Sequence, residues 1–211
     1  MPDRSLNIFI IVSTPRSVSP PTEIKMSDNN YIGHRNSYTE LNAIYFWTIT
    51  IRNWTHLLKE DAYKEIIISS LKWLCDKKLV EIYGYVIMPN HIHLFWQQFA
   101  MNGKEFPKNS FEKFTSHQFQ KKLVAENPEK LLQFSVSASD RKYNFWQRDP
   151  LAVHIFSKDV AEQKLNYLHY NPLQDHWNLC RLPEDYRFSS AMFYETGFDE
   201  FKILTHYRDA F

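Results

Sequence analysis

Two histidines separated by one residue are the strongest candidates for chemistry in this sequence. His91 and His93 lie in residues 83–96, a stretch whose composition predicts two β-strands joined at Pro89-Asn90. Side chains two positions apart on a strand point to the same face, so the two imidazoles project together while Ile92 points to the other side. Two imidazoles held close by rigid backbone can chelate a divalent cation. The competing interpretation is that they are ordinary half-buried histidines.

A tyrosine and an asparagine further along the chain supply the other half of such a site. The apolar spacing predicts a helix that begins after Ser157 as its N-cap and ends at Asn171, before Pro172. Tyr167 and Asn171 are four positions apart, so they stack on one face of that helix. Imidazoles and an amide can hold a cation that polarises a phosphate, which the phenol then attacks. The competing interpretation is that Tyr167 is an aromatic at the rim of the core and Asn171 caps the helix.

Tyr170 is a second phenol on the same predicted helix and a rival nucleophile. It lies three positions after Tyr167, which turns it about 60° to the other side of the helix axis. It is also the immediate neighbour of Asn171, turned about 100° away, so it cannot easily share a metal ion bound there. The spacing therefore favours Tyr167.

These side chains need a rigid scaffold, and the periodicity of the chain predicts one. Runs of β-branched and aromatic residues predict strands at residues 41–51, 80–88, 91–97 and 143–156, the last broken at Asp149-Pro150. Apolar residues at helical spacing predict helices at residues 61–79, 111–125 and 157–171. The order β-α-β-β-α-β, followed by a helix, predicts an α+β fold. We expect a ferredoxin-like or RRM-like antiparallel sheet with helices on one face and the tyrosine helix after the fourth strand.

The two ends of the chain differ from this central region. Residues 13–21 are polar and proline-rich, and they predict a disordered or non-native extension over residues 1–30, with the functional chain beginning near Met26. The predicted domain covers residues 38–195, and residues 196–211 form a predicted C-terminal tail.

Composition excludes several functional classes. The 211 residues are 44% hydrophobic and 16% aromatic, which is typical of a folded chain and not of a disordered one. The two cysteines are too few for a disulfide framework or a cysteine zinc site, so the predicted location is a reducing cytoplasm. No apolar run approaches the ~18 residues needed to span a bilayer, so no membrane partner is predicted.

Charge is uneven along the chain, although the net charge is only +1. Residues 104–148 hold nine basic and five acidic residues, whereas residues 181–211 hold four basic and six acidic ones. A nucleic-acid surface is therefore predicted on the middle of the chain, unless the basic run is simply a solvated face. Its candidate members are Lys121, Lys122, Arg141, Lys142, Trp146 and Arg148. Further aromatics that could stack bases or else belong to the core are Trp96, Phe106, Tyr143 and Phe145.

Three segments, in this order, resemble the single-tyrosine HUH transposases, and most of all the REP-associated tyrosine transposases. They are YVIMPNHIHL at residues 85–94, FWQR at residues 145–148 and YLHYNP at residues 167–172. The MPNHIH piece is the most specific of the three. The resemblance covers residues 41–190.

The resemblance implies a role for each candidate residue. In that family the two histidines bind Mg²⁺ or Mn²⁺, the helix tyrosine is the nucleophile, and a Gln or Asn four residues later completes the metal site. These roles fall on His91 and His93, on Tyr167 and on Asn171. The implied reaction cuts single-stranded DNA to give a 5′-phosphotyrosine and a free 3′-hydroxyl, and then rejoins the end to another strand. The implied partners are single-stranded or hairpin DNA and, in some groups, a second copy of the chain in a homodimer.

Two other functions fit the same residues. The first is a catalytically inactive or domesticated protein that binds hairpin or repeat DNA on the same sheet. The second is a metal-dependent hydrolase, in which the histidine pair activates water and Tyr167 is incidental. A trapped covalent DNA adduct separates the three functions, since only the transposase forms one.

Overall fold

The computed structural model of the protein describes residues 38–211 apart from Asp140 and Asp149, so the predicted extension at residues 1–30 lies outside the described residues. The strands are β1 (Ile44–Thr50), β2 (Val80–Ile87), β3 (His91–Gln98) and β4 (Leu151–His154). The helices are α1 (Asp61–Asp76), α2 (Pro107–Glu126), α3 (Pro128–Leu132), α4 (Lys158–Tyr170) and α5 (Ala191–Thr196). Among these described helices, none is both long and apolar enough to cross a membrane.

The four strands form one antiparallel sheet in the order β2-β3-β1-β4. With α1 between β1 and β2, and α2 between β3 and β4, this is the ferredoxin-like arrangement that the sequence predicts. β3 is a central strand, hydrogen-bonded to β1 on one side and to β2 on the other. The histidine pair at the start of β3 therefore stands on backbone that is held from both sides.

The two faces of the sheet pack against different helices. Trp47 of β1 points to the face covered by α1 and α2, where its ring lies 5.9 Å from that of Phe111 in α2. Because side chains alternate along a strand, Phe46 and His93 point to the opposite face, where both contact Tyr167 of α4. α1 and α2 therefore share one face, and α4 covers the other.

A glycine in β2 lets α4 come close to the sheet. A Cβ atom built on Gly84 would lie 2.6 Å from Leu165 Cδ2 and 3.4 Å from Leu168 Cδ2. Both leucines are buried members of the apolar stripe of α4. The helix therefore packs directly on the backbone of β2, and a side chain at position 84 would require Leu165 or the helix to shift.

The fourth strand is shorter than predicted. Only Leu151–His154 pairs with β1, while Trp146 forms an isolated bridge with Ile51. Pro150, between these two pieces, has no backbone N–H to donate, so regular pairing is interrupted there.

Parts of the chain without clear periodicity in the sequence also pack on the domain. The short helices α3 and α5 lie in regions where the sequence predicts no helix. In the segment 196–211, predicted as a tail, Leu204 forms a parallel bridge with Ile82 of β2, and Ile203 and Tyr207 are buried. This segment therefore contributes to the core.

Candidate active site

His91 and His93 lie at the start of β3, on the face covered by α4. Their ring centroids are 4.8 Å apart, with an interplanar angle of 76°. In the sheet they stand opposite Thr50 and Thr48 of β1. Only 9% and 5% of their surfaces are exposed. The two imidazoles thus share one face, as the spacing predicts, in a site largely withdrawn from water.

In each imidazole, Nδ1 lies within hydrogen-bond distance of a neighbouring side-chain oxygen atom. His91 Nδ1–H donates to Asn90 Oδ1 at 2.7 Å, and the Asn90 amide is itself oriented because its Nδ2 donates to the Trp54 carbonyl at 3.3 Å. His93 Nδ1 lies 2.8 Å from Thr48 Oγ1, and it donates to that oxygen in the tautomer whose Nε2 accepts from Asn171 Nδ2. In both rings Nε2 then keeps the lone pair that a metal ligand needs.

Residues at the end of α4 complete the arrangement. Asn171 directly follows α4, and its Nδ2 donates to His93 Nε2 at 3.2 Å, as expected when Nδ1 carries the proton of that ring. The Tyr167 ring lies 5.3 Å from the His93 ring at an angle of 71°. The structure therefore brings Tyr167 and Asn171 to the histidine pair.

The donor atoms present here suit a divalent cation bound by nitrogen and oxygen. Asn171 is 3% exposed, and its Oδ1 has no hydrogen-bond partner in the described part of the chain. A buried acceptor left unpaired costs about 1–3 kcal/mol, which a bound cation would offset. The amide nitrogen and oxygen exchange by a half-turn of the side chain, so either can face the histidines. Among the described residues, no cluster of three or more His, Cys, Asp or Glu side chains could hold a metal ion. The candidate protein donors at this site are therefore two imidazoles and one amide.

Burial keeps both histidines neutral. It lowers the pKa of His91 to about 4, with a smaller contribution from His176. Burial also lowers the pKa of His93 well below its usual range, and the charges of His91 and Lys164 lower it further. Both imidazoles are therefore neutral at physiological pH, which is the form that binds a metal ion.

Tyr167, rather than Tyr170, contacts the histidine pair. Its ring packs against His93 and Phe46, yet 47% of its surface stays exposed. Burial raises the pKa of the Tyr167 phenol, and the amide of Asn171 opposes this in part. Tyr170 is 40% exposed and makes no ring contact with either histidine of the pair within the described residues. The Tyr167 side chain is thus only partly covered, but as a neutral phenol it needs activation to attack at neutral pH.

Hydrogen bonds hold α4 at both of its ends. At its start, Ser157 Oγ accepts from Val160 N at 3.4 Å, which is the N-cap that the sequence predicts. Near its end, His169 Nε2 lies 2.8 Å from Ser190 Oγ. The same oxygen accepts from the backbone N–H of Tyr85 in β2 at 3.0 Å. A polar link thus runs from β2 through Ser190 to the helix that carries Tyr167.

Sequence reasoning missed three residues that surround the histidines. Thr48 and Phe46 belong to β1, and only the register of β1 against β3 places them beside His93. Asn90 adjoins His91 in the chain, so its role was within reach of a local argument. A side-chain amide in the turn before a histidine is the signal that could have found it.

One predicted DNA contact is wrong. Trp146 is 3% exposed, and its Nε1–H donates to Thr115 Oγ1 of α2 at 2.9 Å. Trp96 and Phe145 are likewise buried in the core, so they cannot stack bases. The sequence allows these aromatics to lie at the surface, because it does not reveal that α2 covers them.

The predicted basic residues belong to two separate parts of the fold. Lys121 and Lys122 belong to α2, on the sheet face opposite the histidines. Arg141, Lys142 and Arg148 are exposed in the segment that precedes β4.

The segment before β4 reaches the histidine end of the sheet. Gln147 N donates to Thr50 O at 2.7 Å, and Thr50 stands opposite His91. Arg148 directly follows Gln147, so it lies at this end as well. His154, exposed in β4, pairs with Tyr45 near the other end of β1.

Comparison with solved structures finds a similar fold in a tyrosine transposase. A REP-associated tyrosine transposase bound to a REP hairpin matches with a TM-score of 0.54 at 17% identity, over 79% of this chain and 87% of that chain. A protein of Deinococcus radiodurans R1, provisionally named a transposase, matches with a TM-score of 0.36 at 16% identity, over 63% of this chain and 92% of that chain. No protein-family model matches the sequence, and no curated protein matches it. The first likeness shows that this chain has the fold of a single-tyrosine transposase.

Proposed function

We propose that this chain cuts and rejoins single-stranded DNA as a metal-dependent transposase, with Tyr167 as its nucleophile. One observation carries the proposal. The histidine pair of β3 and the end of α4, far apart in sequence, meet on one face of the sheet, with Asn171 Nδ2 3.2 Å from His93 Nε2. The likeness in fold to a tyrosine transposase supports it.

The residues of the site divide the chemistry between them. His91, His93 and Asn171 would hold Mg²⁺ or Mn²⁺, which when bound polarises the scissile phosphate. Tyr167 Oη attacks the phosphorus: the P–Oη bond forms, the P–O3′ bond breaks, the phenol proton passes to solvent and the leaving 3′-oxygen takes up a proton. The products are a 5′-phosphotyrosine and a free 3′-hydroxyl. Since one phosphodiester is exchanged for another, the 3′-hydroxyl of a second strand can reverse the step without a nucleotide cofactor.

Single-stranded or hairpin DNA is the proposed substrate. The transposase of the same fold is described with a REP hairpin bound. In this chain Arg141, Lys142 and Arg148 are exposed in the segment that leads to the histidine end of the sheet, where they would contact phosphates beside the cleavage point. Lys121 and Lys122 would contact only DNA that extends round to the α2 side. A homodimer and a cytoplasmic location stay predictions.

Covalent capture separates the transposase from the two other functions. The full chain is incubated with Mg²⁺ and a pool of hairpin oligonucleotides that carry random single-stranded flanks. A protein–DNA adduct that survives SDS is expected, and EDTA should abolish it. A protein that only binds DNA would retain oligonucleotides without forming an adduct, and a hydrolase would shorten them without forming one. Either result would reject the proposal.

A further inference from the structure

Lys164 lies at the candidate site but has no part in the chemistry described above. It stands three residues before Tyr167 on α4, and residues at that spacing are neighbours on a helix face. Its Nζ lies 5.3 Å from the ring centroid of Phe46. The same ring stacks on His93 at 5.2 Å and meets Tyr167 at 6.0 Å. The ammonium group and both site rings therefore pack on a single phenyl ring.

This lysine is partly buried, and no described carboxylate lies within salt-bridge distance of it. Burial lowers the pKa of Lys164. The proposed metal donors beside it, two imidazoles and one amide, are neutral. A cation partly withdrawn from water is stabilised when an anion binds next to it.

We propose that Lys164 is a further catalytic residue of the reaction proposed above, in which its ammonium group contacts a non-bridging oxygen of the scissile phosphate. The inference rests on that reaction. While the P–Oη bond to Tyr167 forms and the P–O3′ bond breaks, negative charge is redistributed over the phosphoryl oxygens. A cation fixed beside them stabilises this transition state more than the ground state. Lys164 transfers no proton in the step.

Two simpler roles of Lys164 predict different behaviour. If its stem only covers Phe46, a methionine of similar length would preserve both the packing and the rate. If its charge only adds to general DNA binding, its loss would weaken binding, and saturating protein would restore the rate.

Single-turnover kinetics distinguish these roles. The probe is the oligonucleotide that the wild-type chain captures fastest from the hairpin pool, synthesised as one species. Lys164→Met is expected to slow adduct formation at saturating protein by about 100-fold, with the Kd for the probe changed by less than about threefold. Lys164→Arg keeps the charge and should recover most of the rate. Lys158→Met, at the exposed start of the same helix, is the matched control and should react like the wild type.

The result that overturns this role differs from the result that rejects the proposed function. A Lys164→Met rate within about threefold of the wild-type rate, or a loss that saturating protein restores, overturns the role of Lys164. Lys164→Gln replaces Lys164→Met in the comparison if the methionine variant does not fold. Absence of an adduct with the wild-type chain itself rejects the proposed function instead.

Discussion

Each imidazole of the histidine pair is oriented by an oxygen atom on Nδ1 and shielded from water. Asn90 Oδ1 lies 2.7 Å from His91 Nδ1, and Thr48 Oγ1 lies 2.8 Å from His93 Nδ1. Such partners fix the ring orientation of a metal ligand, and burial keeps Nε2 free of protons. This arrangement therefore fits the metal-binding role proposed for the pair.

Replacing either histidine tests this arrangement. His91→Ala or His93→Ala is expected to abolish Mg²⁺- or Mn²⁺-dependent cleavage and to leave hairpin binding mostly intact, because the proposed phosphate contacts lie elsewhere. Gel assays measure cleavage, and fluorescence anisotropy measures binding. His154→Ala, which removes an exposed histidine of β4, should cleave like the wild type. Cleavage that persists in EDTA or in both site variants would contradict the assignment.

At the scale of elements, the position of α4 decides whether a site exists. This helix brings Tyr167 to the β3 histidines, and it comes close to the sheet where Gly84 of β2 has no side chain. The hydrogen bonds that link His169 through Ser190 to β2 then fix the position of α4 along the sheet. A few contacts therefore set the geometry between the proposed nucleophile and the proposed metal ligands.

Gly84→Ala is expected to displace α4. The new Cβ would lie 2.6 Å from Leu165 Cδ2, and overpacking of this kind costs about 1–3 kcal/mol. Because the displaced helix carries Tyr167 away from His93, cleavage should slow by more than the loss of folded protein explains. Leu165→Ala makes room for the methyl group, so the double variant should be less impaired than the sum of the single ones. Urea unfolding and single-turnover rates measure both effects; additivity in both would contradict the close contact.

A carboxyl group on α2 gives a prediction about pH far from the site. Burial raises the pKa of Glu112 to about 7 from an ordinary 4.5, and Lys108 opposes this only in part. At a pH between these two pKa values, the Glu112 carboxyl keeps its proton in the folded chain and loses it in the unfolded chain. The free energy of unfolding therefore falls as the pH rises through this range. Glu112→Gln is expected to raise the free energy of unfolding at pH 8 by up to about 3 kcal/mol and to change it little at pH 4. Urea unfolding at the two pH values measures this, and an equal effect at both would contradict the raised pKa.

Local patterns made much of the site predictable. The shared face of His91 and His93 and the stacking of Tyr167 over Asn171 follow from strand and helix geometry alone. Local patterns assign no role to Lys164, because its proposed role depends on which sheet face α4 covers, and that is not a local property. The same limit explains the wrong surface prediction for Trp146, since only the tertiary packing shows that α2 buries it.

At the scale of the whole molecule, the two faces of the sheet have different roles. The face covered by α1 and α2 holds much of the apolar core, and the face covered by α4 holds the candidate site. A net charge of +1 provides no general attraction for DNA, so affinity must come from local clusters of basic residues.

Basic residues near the histidine end of the sheet and on α2 should therefore affect DNA binding differently. The double change Lys142→Ala and Arg148→Ala is expected to weaken hairpin binding and to reduce the slope of log affinity against log salt by up to about two. The matched double change Lys121→Ala and Lys122→Ala, on the α2 side, should alter either quantity much less. Anisotropy titrations at several salt concentrations measure both. Equal losses from the two pairs would contradict a DNA path past the histidine end of the sheet.

Mass spectrometry of the adduct tests most directly whether Tyr167 forms the covalent bond to DNA. After protease and nuclease digestion of the wild-type adduct, the nucleotide remnant is predicted on Tyr167, because this phenol contacts His93 and lies over Asn171. Tyr167→Phe should bind DNA and form no adduct, whereas Tyr170→Phe, the matched change three residues away, should keep most of the activity. A remnant on Tyr170, or an adduct formed by Tyr167→Phe, would contradict the assignment.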